Sequence, residues 1–246
     1  MREPCTDPRL DIRFSPCIIV PVYRHAARFA EFSKSLPKDI RVMVVDDGNR
    51  EEESRILRSL GYPTLRLPRN RGKGGAVLAG LRKAAAEGYT HALQIDADGQ
   101  HDAGDIPRFL AKARDNPAAL VNGCPIYDAA APKSRVIGRR FTNFWVRMET
   151  GSRDFSDAMC GFRVYPLGPM RPLLDKGLLF KRMGGDIEVL VRAQWHGLKI
   201  IALDTKVTYP ADGFSNFSAL KDNLYFFGLH TTLVCTMLAR KALGRA

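Results

Sequence analysis

Apolar runs in the first hundred residues stop abruptly at polar punctuation. Cys17-Ile18-Ile19-Val20 leads into Pro21-Val22-Tyr23, and Arg41 to Val45 stops at Asp46-Asp47-Gly48-Asn49. Thr64 to Leu67 stops at Pro68-Arg69-Asn70-Arg71-Gly72-Lys73-Gly74-Gly75, and Ala92 to Ile95 at Asp96-Ala97-Asp98-Gly99-Gln100-His101. Short apolar runs bounded by turn formers predict buried strands. The intervening segments read as helices over 25–36, 51–60 and 76–86, the second stopped by Gly61. Strand and helix alternation of this kind predicts a mainly parallel sheet with ligands at the carboxyl ends of its strands. Beyond residue 105 the pattern is less regular. Helices are expected over 105–114, 135–150, 185–196 and 222–239, and strands over 119–124, 160–165, 199–203 and 206–209. No internal repeat or low-complexity linker divides the chain.

The stretch after Ile95 carries the sharpest chemistry. Side chains alternate along a strand, so Asp96 and Asp98 would share a side if the strand continued, and Gly99 lets the chain turn beyond them. Two carboxylates brought together are costly unless a cation neutralises them, and a hard divalent ion with oxygen ligands is the natural occupant. Gln100 and His101 stand close enough in sequence to complete such a site. The bland alternative is an exposed polar turn. The Gly-rich loop is neither a P-loop nor a dinucleotide fingerprint, because Leu67 replaces the first required glycine and Gly74 follows Lys73. It reads as a basic loop ahead of a helix N-terminus, a place for a diphosphate. Asp46 and Asp47 could bond a nucleobase or ribose, or simply shape a turn. In the second half, Asp157 and Arg163 flank a short strand. Asp186 and Glu188 open a helix, either as dipole compensation or as a general base.

Composition narrows the partners. The chain has 246 residues, with 38 Lys and Arg against 26 Asp and Glu and a net charge of +12, so it should seek anions. Its basic residues are spread among acids without a nucleic-acid motif, which argues against RNA or DNA. Five well-separated cysteines without a C-x-x-C pair suggest reduced thiols in a cytosolic setting. No signal peptide or run long enough to span a bilayer is visible. Leu224 to Ala239 carries no formal charge between Lys221-Asp222 and Arg240-Lys241. It is either a core helix or an interfacial one beside anionic lipid.

Together, Pro21-Val22-Tyr23, Asp46-Asp47-Gly48, the Asn70 to Gly74 loop and Asp96 to His101 resemble the family 2 glycosyltransferases of GT-A fold. The similarity is strongest to the branch that makes dolichol- or polyprenyl-phosphate sugars. The resemblance implies an α/β fold with one mainly parallel mixed sheet flanked by helices. It divides the chain into an N-terminal extension (1–15), a transferase domain (16–217) with nucleotide (16–105) and acceptor (106–217) halves, and a long C-terminal helix (218–246). It implies that Pro21, Tyr23, Asp46, Asp47, Lys73 and Asp96 bind the nucleotide. Asp96, Asp98, Gln100 and His101 would hold Mn2+ or Mg2+, and Arg135 and Arg163 would meet an anionic acceptor. Asp157, Asp186 and Glu188 are the candidate catalytic acids. The expected reaction is inverting transfer from a UDP- or GDP-sugar to a lipid-linked acceptor, polyprenyl phosphate or glycolipid, on the inner face of a membrane. Residues 211–217 depart from that branch and look more like glycosyltransferase-like proteins of lipid or aryl-polyene pathways. The alternatives are a sugar-nucleotide or lipid-surface binding module without catalysis, and a nucleotidyltransferase acting on a sugar phosphate.

Overall fold

A computed structural model describes residues 13–127, 133–152, 157–208 and 219–244. Their strands are β1 (Pro16–Val22), β2 (Arg41–Asp46), β3 (Thr64–Arg66), β4 (His91–Gln94), β5 (Leu120–Tyr127), β6 (Arg163–Pro166) and β7 (Ile200–Val207). They form one sheet in the order β3-β2-β1-β4-β6-β5-β7, in which only β6 runs antiparallel to its neighbours. The helices are α1 (Ala26–Phe32), α2 (Glu51–Ser59), α3 (Lys73–Ala86), α4 (Ile106–Asp115), α5 (Lys133–Thr150), α6 (Arg171–Lys176), α7 (Gly184–Trp195) and α8 (Ala219–Ala242).

The near-continuous apolar character of β1 follows from burial on both faces. Cys17 and Ile19 join a core with α3, α6 and α7, whereas Ile18, Val20 and Val22 join a second core with α1 and α4. This is the two-residue period of a strand sorted between two layers. Burial pushes the thiols of Cys17 and Cys160 up to about 12, and no disulfide joins the cysteines among the described residues.

The chain runs β1 to β2 to β3 in one direction, then returns to place β4 on the other side of β1. The carboxyl ends of β1 and β4 therefore flank a topological switch point, where open α/β sheets bind ligands.

Three features differ from expectation. The tail expected as two short strands is one, because β7 pairs in parallel with β5 from Leu120↔Ile200 through Tyr127↔Val207 and the pairing carries it across Asp204 and Thr205. Residues 160–162 are not strand, since β6 begins at Arg163. The short helix α6 carries no strong periodic signal in the sequence. The C-terminal helix is partly core: Leu229, His230 and Leu233 are buried while Leu224, Phe227 and Leu238 are exposed. The extension over 1–12, the segment 211–217 and Tyr209 lie outside the described residues.

Candidate active site

The ends of β1 and β2 are tied together from below. Asn49 donates from Nδ2 to the Val22 carbonyl and to Asp46 Oδ1, both at 2.9 Å, and its own Oδ1 accepts the Arg24 amide at 2.7 Å. Asp46 also accepts the Asn49 amide at 2.9 Å and Ser54 Oγ at 2.5 Å. Asp46 is 1% exposed. Expected at the nucleoside, it has its acceptor positions filled by its own turn. Asp47 accepts the Arg71 amide at 2.7 Å and Asn70 Nδ2 at 2.8 Å, fastening the basic loop to the strand end. Burial outweighs these bonds and raises its carboxyl above the usual range. Pro21 and Tyr23 sit half-buried at the end of β1, with the Arg24 guanidinium 5.1 Å from the Tyr23 ring centre.

The Gly-rich loop does something the sequence did not suggest. α3 begins at Lys73, and the amides of Gly74 and Gly75 donate to the carbonyls of Arg182 and Lys181 at 3.2 and 2.8 Å. Those amides are thus not open to a diphosphate. A Cβ on Gly74 would stand 2.7 Å from Gly185 Cα, so two glycines let the starts of α3 and α7 meet backbone to backbone. That crossing brings Lys73 into the site. Its Nζ lies 2.8 Å from Asp96 Oδ2 and 2.9 Å from Asp186 Oδ2. Burial alone would lower its pKa, but the two carboxylates outweigh it and the net shift is upward.

Around this bridge lies a buried polar chain. Tyr165 Oη donates to Gln94 Oε1 at 2.7 Å, and Gln94 Nε2 donates to Asp186 Oδ1 at 3.3 Å. Arg163, fully buried, donates to the Asp186 and Ala158 carbonyls at 2.6 and 2.7 Å. Expected at an anionic acceptor, Arg163 has no exposed surface in this structure, and its guanidinium holds the start of α7. Gly161 backs Asp96 so closely that a Cβ there would stand 2.2 Å from Asp96 Oδ2. Gln94, Tyr165 and Gly161 were missed. A glutamine inside an apolar strand was the available signal for the first.

Two further acids are also occupied. Glu188 accepts the Leu179 and Phe180 amides at 3.1 and 2.7 Å and pairs with Arg192 at 2.8 Å. Expected among the catalytic acids, Glu188 fastens the 179–180 loop in this structure, with both of its oxygens engaged. Asp157, also expected among the catalytic acids, pairs with Arg139 at 2.7 Å and accepts the Met159 amide at 2.7 Å. The Arg135 side chain lies outside the described residues. Asp186 is the one candidate acid that joins the cluster around Lys73.

The proposed metal ligands are near one another but do not form a ready cage. Among the described residues no group of three or more His, Cys, Asp or Glu is placed to hold a metal ion. What is present fits a cation in part. Asp96 Oδ1 and His101 Nδ1 are buried without a partner. Burial, followed by the charge of Asp96, raises the Asp98 carboxyl. Burial holds the His101 imidazole below its ordinary value, which keeps it neutral and able to ligate. The Gln100 amide donates to Asp98 Oδ1 at 3.1 Å, and the Gln100 side chain is half-buried. A cavity of about 330 Å³ beside this stretch is lined by Phe32, Gln100, His101 and Lys206 among others.

A family model described as glycosyl transferase family 2 matches residues 17–167. The UDP-N-acetylglucosamine–dolichyl-phosphate N-acetylglucosaminyltransferase of Methanococcus voltae is 23% identical over 214 residues, covering 78% of this chain and 85% of its own. The undecaprenyl-phosphate mannosyltransferase of Micrococcus luteus is 26% identical over 169 residues, covering 65% and 68%. Glucosyl-3-phosphoglycerate synthase from Mycobacterium tuberculosis was solved with Mn2+, UDP and glucosyl-3-phosphoglycerate. It matches with a TM-score of 0.64 at 18% identity, covering 93% of this chain and 80% of its own. The fold is thus the GT-A type that the motifs implied.

Proposed function

The chain belongs to glycosyl transferase family 2, and from that premise we propose an inverting transfer from a UDP- or GDP-sugar to a lipid-linked acceptor at the cytoplasmic face of an anionic membrane. The acceptor is of the polyprenyl-phosphate or glycolipid type. The activities of the two relatives support a polyprenyl-phosphate class, and the Mn2+ and UDP in the structural neighbour support a nucleotide donor with a divalent ion.

The observation that carries this reading is the Lys73 ammonium between Asp96 and Asp186. It joins the loop after β3, the end of β4 and the start of α7 at one point. Asp98, with Asp96, Gln100 and His101 as further candidates, would hold Mn2+ or Mg2+, which supplies neutralising charge for a departing diphosphate. Lys73 adds positive charge at the same place from the protein side. Release of Lys73 from Asp186 leaves that carboxylate held, among the described residues, by Gln94 and able to take a proton from a hydroxyl acceptor. A phosphate acceptor is already a nucleophile and needs no such base.

A thermal-shift panel of UDP, GDP, CDP and ATP, each with and without Mn2+, tests the donor site. One diphosphate should raise Tm in a metal-dependent way through binding to the folded state, and Asp98→Ala should abolish that rise. A full metal-dependent shift in the variant would remove Asp98 from the site. No shift with any nucleotide would sink the donor reading and favour a binding module.

A further inference from the structure

The outward side of α5 is surplus to the fold. Ile137, Phe141, Phe144 and Met148 are 66%, 62%, 61% and 40% exposed. Their spacing of four, three and four residues aligns them in one stripe along the helix. The same helix already buries Thr142, Val146 and Glu149 on another side. Singly exposed apolar residues need no explanation, but a continuous stripe with two phenylalanines does. At 100° per residue, Arg140 and Arg147, both exposed, line one flank of the stripe. On the other flank Trp145 stacks on His230 of α8, with ring centres 5.9 Å apart. Among the described residues no helix is long and apolar enough to cross a membrane, so this apolar surface is not part of a span.

We propose that the outer side of α5 docks on an anionic lipid bilayer, with Phe141 and Phe144 entering the interface and Arg140 and Arg147 meeting lipid phosphates. Charge selects this occupant. In sequence α5 carries Lys133, Arg135, Arg139, Arg140 and Arg147 against a single acid, Glu149, which is buried against His230 at 2.8 Å. A second copy seated on the same stripe would set arginines against arginines, whereas an anionic leaflet offers complementary charge. Apolar residues backed by a basic flank are the combination that holds a helix in the interfacial plane. The inference deepens the lipid-acceptor reading by naming the element that brings the enzyme to its acceptor. It also moves the principal contact from the C-terminal helix, where the charge-free run pointed, to α5.

Co-sedimentation with vesicles separates the terms. Vesicles of phosphatidylcholine alone are compared with vesicles holding about 30% phosphatidylglycerol, across a salt series. The wild-type chain should partition to the anionic vesicles. The double variant Phe141→Ser/Phe144→Ser should partition at least about tenfold more weakly, because each phenylalanine loses its apolar burial. Arg140→Ala/Arg147→Ala should weaken binding to anionic vesicles and flatten its salt dependence. All three proteins should keep the same nucleotide thermal shift, since these side chains lie outside the donor site. Wild-type binding by the serine variant, or no wild-type binding to anionic vesicles, overturns the proposal. A wild-type dimer in light scattering that the serine variant splits assigns the stripe to a second copy instead. If vesicle binding behaves as expected but no nucleotide shifts Tm, the docking surface stands and the transferase reading falls.

Discussion

Two strand ends in this molecule carry the same signature, and the structure uses them in opposite ways. β2 ends at Asp46 with Asp47 just beyond it, and just beyond β4 stand Asp96 and Asp98. The first pair is furnished by its own chain. Asp46 accepts two bonds from Asn49 and one from Ser54, and Asp47 accepts from Asn70 and Arg71. The second pair is left wanting. Asp96 shares one oxygen with Lys73 while the other is buried and unpartnered, and Asp98 accepts the Gln100 amide. A buried carboxylate costs folding energy unless its acceptor positions are filled. Filled positions describe architecture, and under the proposed function the unfilled oxygen of Asp96 is where a cation would sit.

Substitutions break the comparison most directly here. Asp98→Ala should lower sugar transfer by about 100-fold or more, the usual scale for losing electrostatic stabilisation of a leaving group, with Tm nearly unchanged. Asp46→Ala should do the reverse. It strands the donors of Asn49 and Ser54 inside the fold, so stability should fall by about 3 kcal/mol while the remaining folded protein keeps its metal-dependent nucleotide affinity. Chemical denaturation and the thermal-shift panel read the two effects separately. An Asp46→Ala protein of normal stability that fails to bind any nucleotide would place Asp46 in the pocket after all.

The two halves of the chain were not equally legible. The first strands and the polar stop from Asp96 to His101 were readable because each depends on local pattern: an apolar run, a stop and a glycine; the switch point between β1 and β4 depends on strand order and was not. Lys73 was readable as a basic residue in a Gly-rich loop, but its partners were not, since Asp186 stands more than a hundred positions away and meets it only through the crossing of Gly74 and Gly185. The helix-end anion site looked open in sequence, yet a remote segment, 181–182, fills its amides. Arg163 and Glu188 carry charges that in isolation suggest ligands. Their burial and internal partners are tertiary facts that no local spacing encodes. In the second half of the chain, the roles left open to a charged group depend on which groups the fold has already used.

Glu188 offers a sharper and smaller test of that rule. Its carboxylate accepts two adjacent backbone amides and pairs with Arg192. Glu188→Gln keeps the shape but replaces one acceptor oxygen with a donor facing an amide. Stability should fall by about 2 kcal/mol. The transfer rate of the folded enzyme should stay within about tenfold of wild type, since a lost general base costs roughly 100-fold or more. A rate collapse at unchanged stability would restore Glu188 as the catalytic base.

Glu149 is the intermediate case, and its effect should be the smallest. One oxygen accepts from His230 at 2.8 Å while Oε2 is buried without a partner. Burial raises its carboxyl above the ordinary range, with the His230 contacts only partly opposing the shift. The folded state then keeps a proton that the unfolded chain has already released. Between the ordinary glutamate value, about 4, and the raised folded value, stability falls as pH rises; below that window both states are protonated and the group contributes no slope. Glu149→Gln removes the titration but keeps an acceptor for His230. The Tm difference, variant minus wild type, should therefore become more positive as pH is raised through the window and then level off. A difference that stays flat, or grows as pH falls, would mean that Oε2 is satisfied in solution and that its apparent vacancy carries no energetic cost.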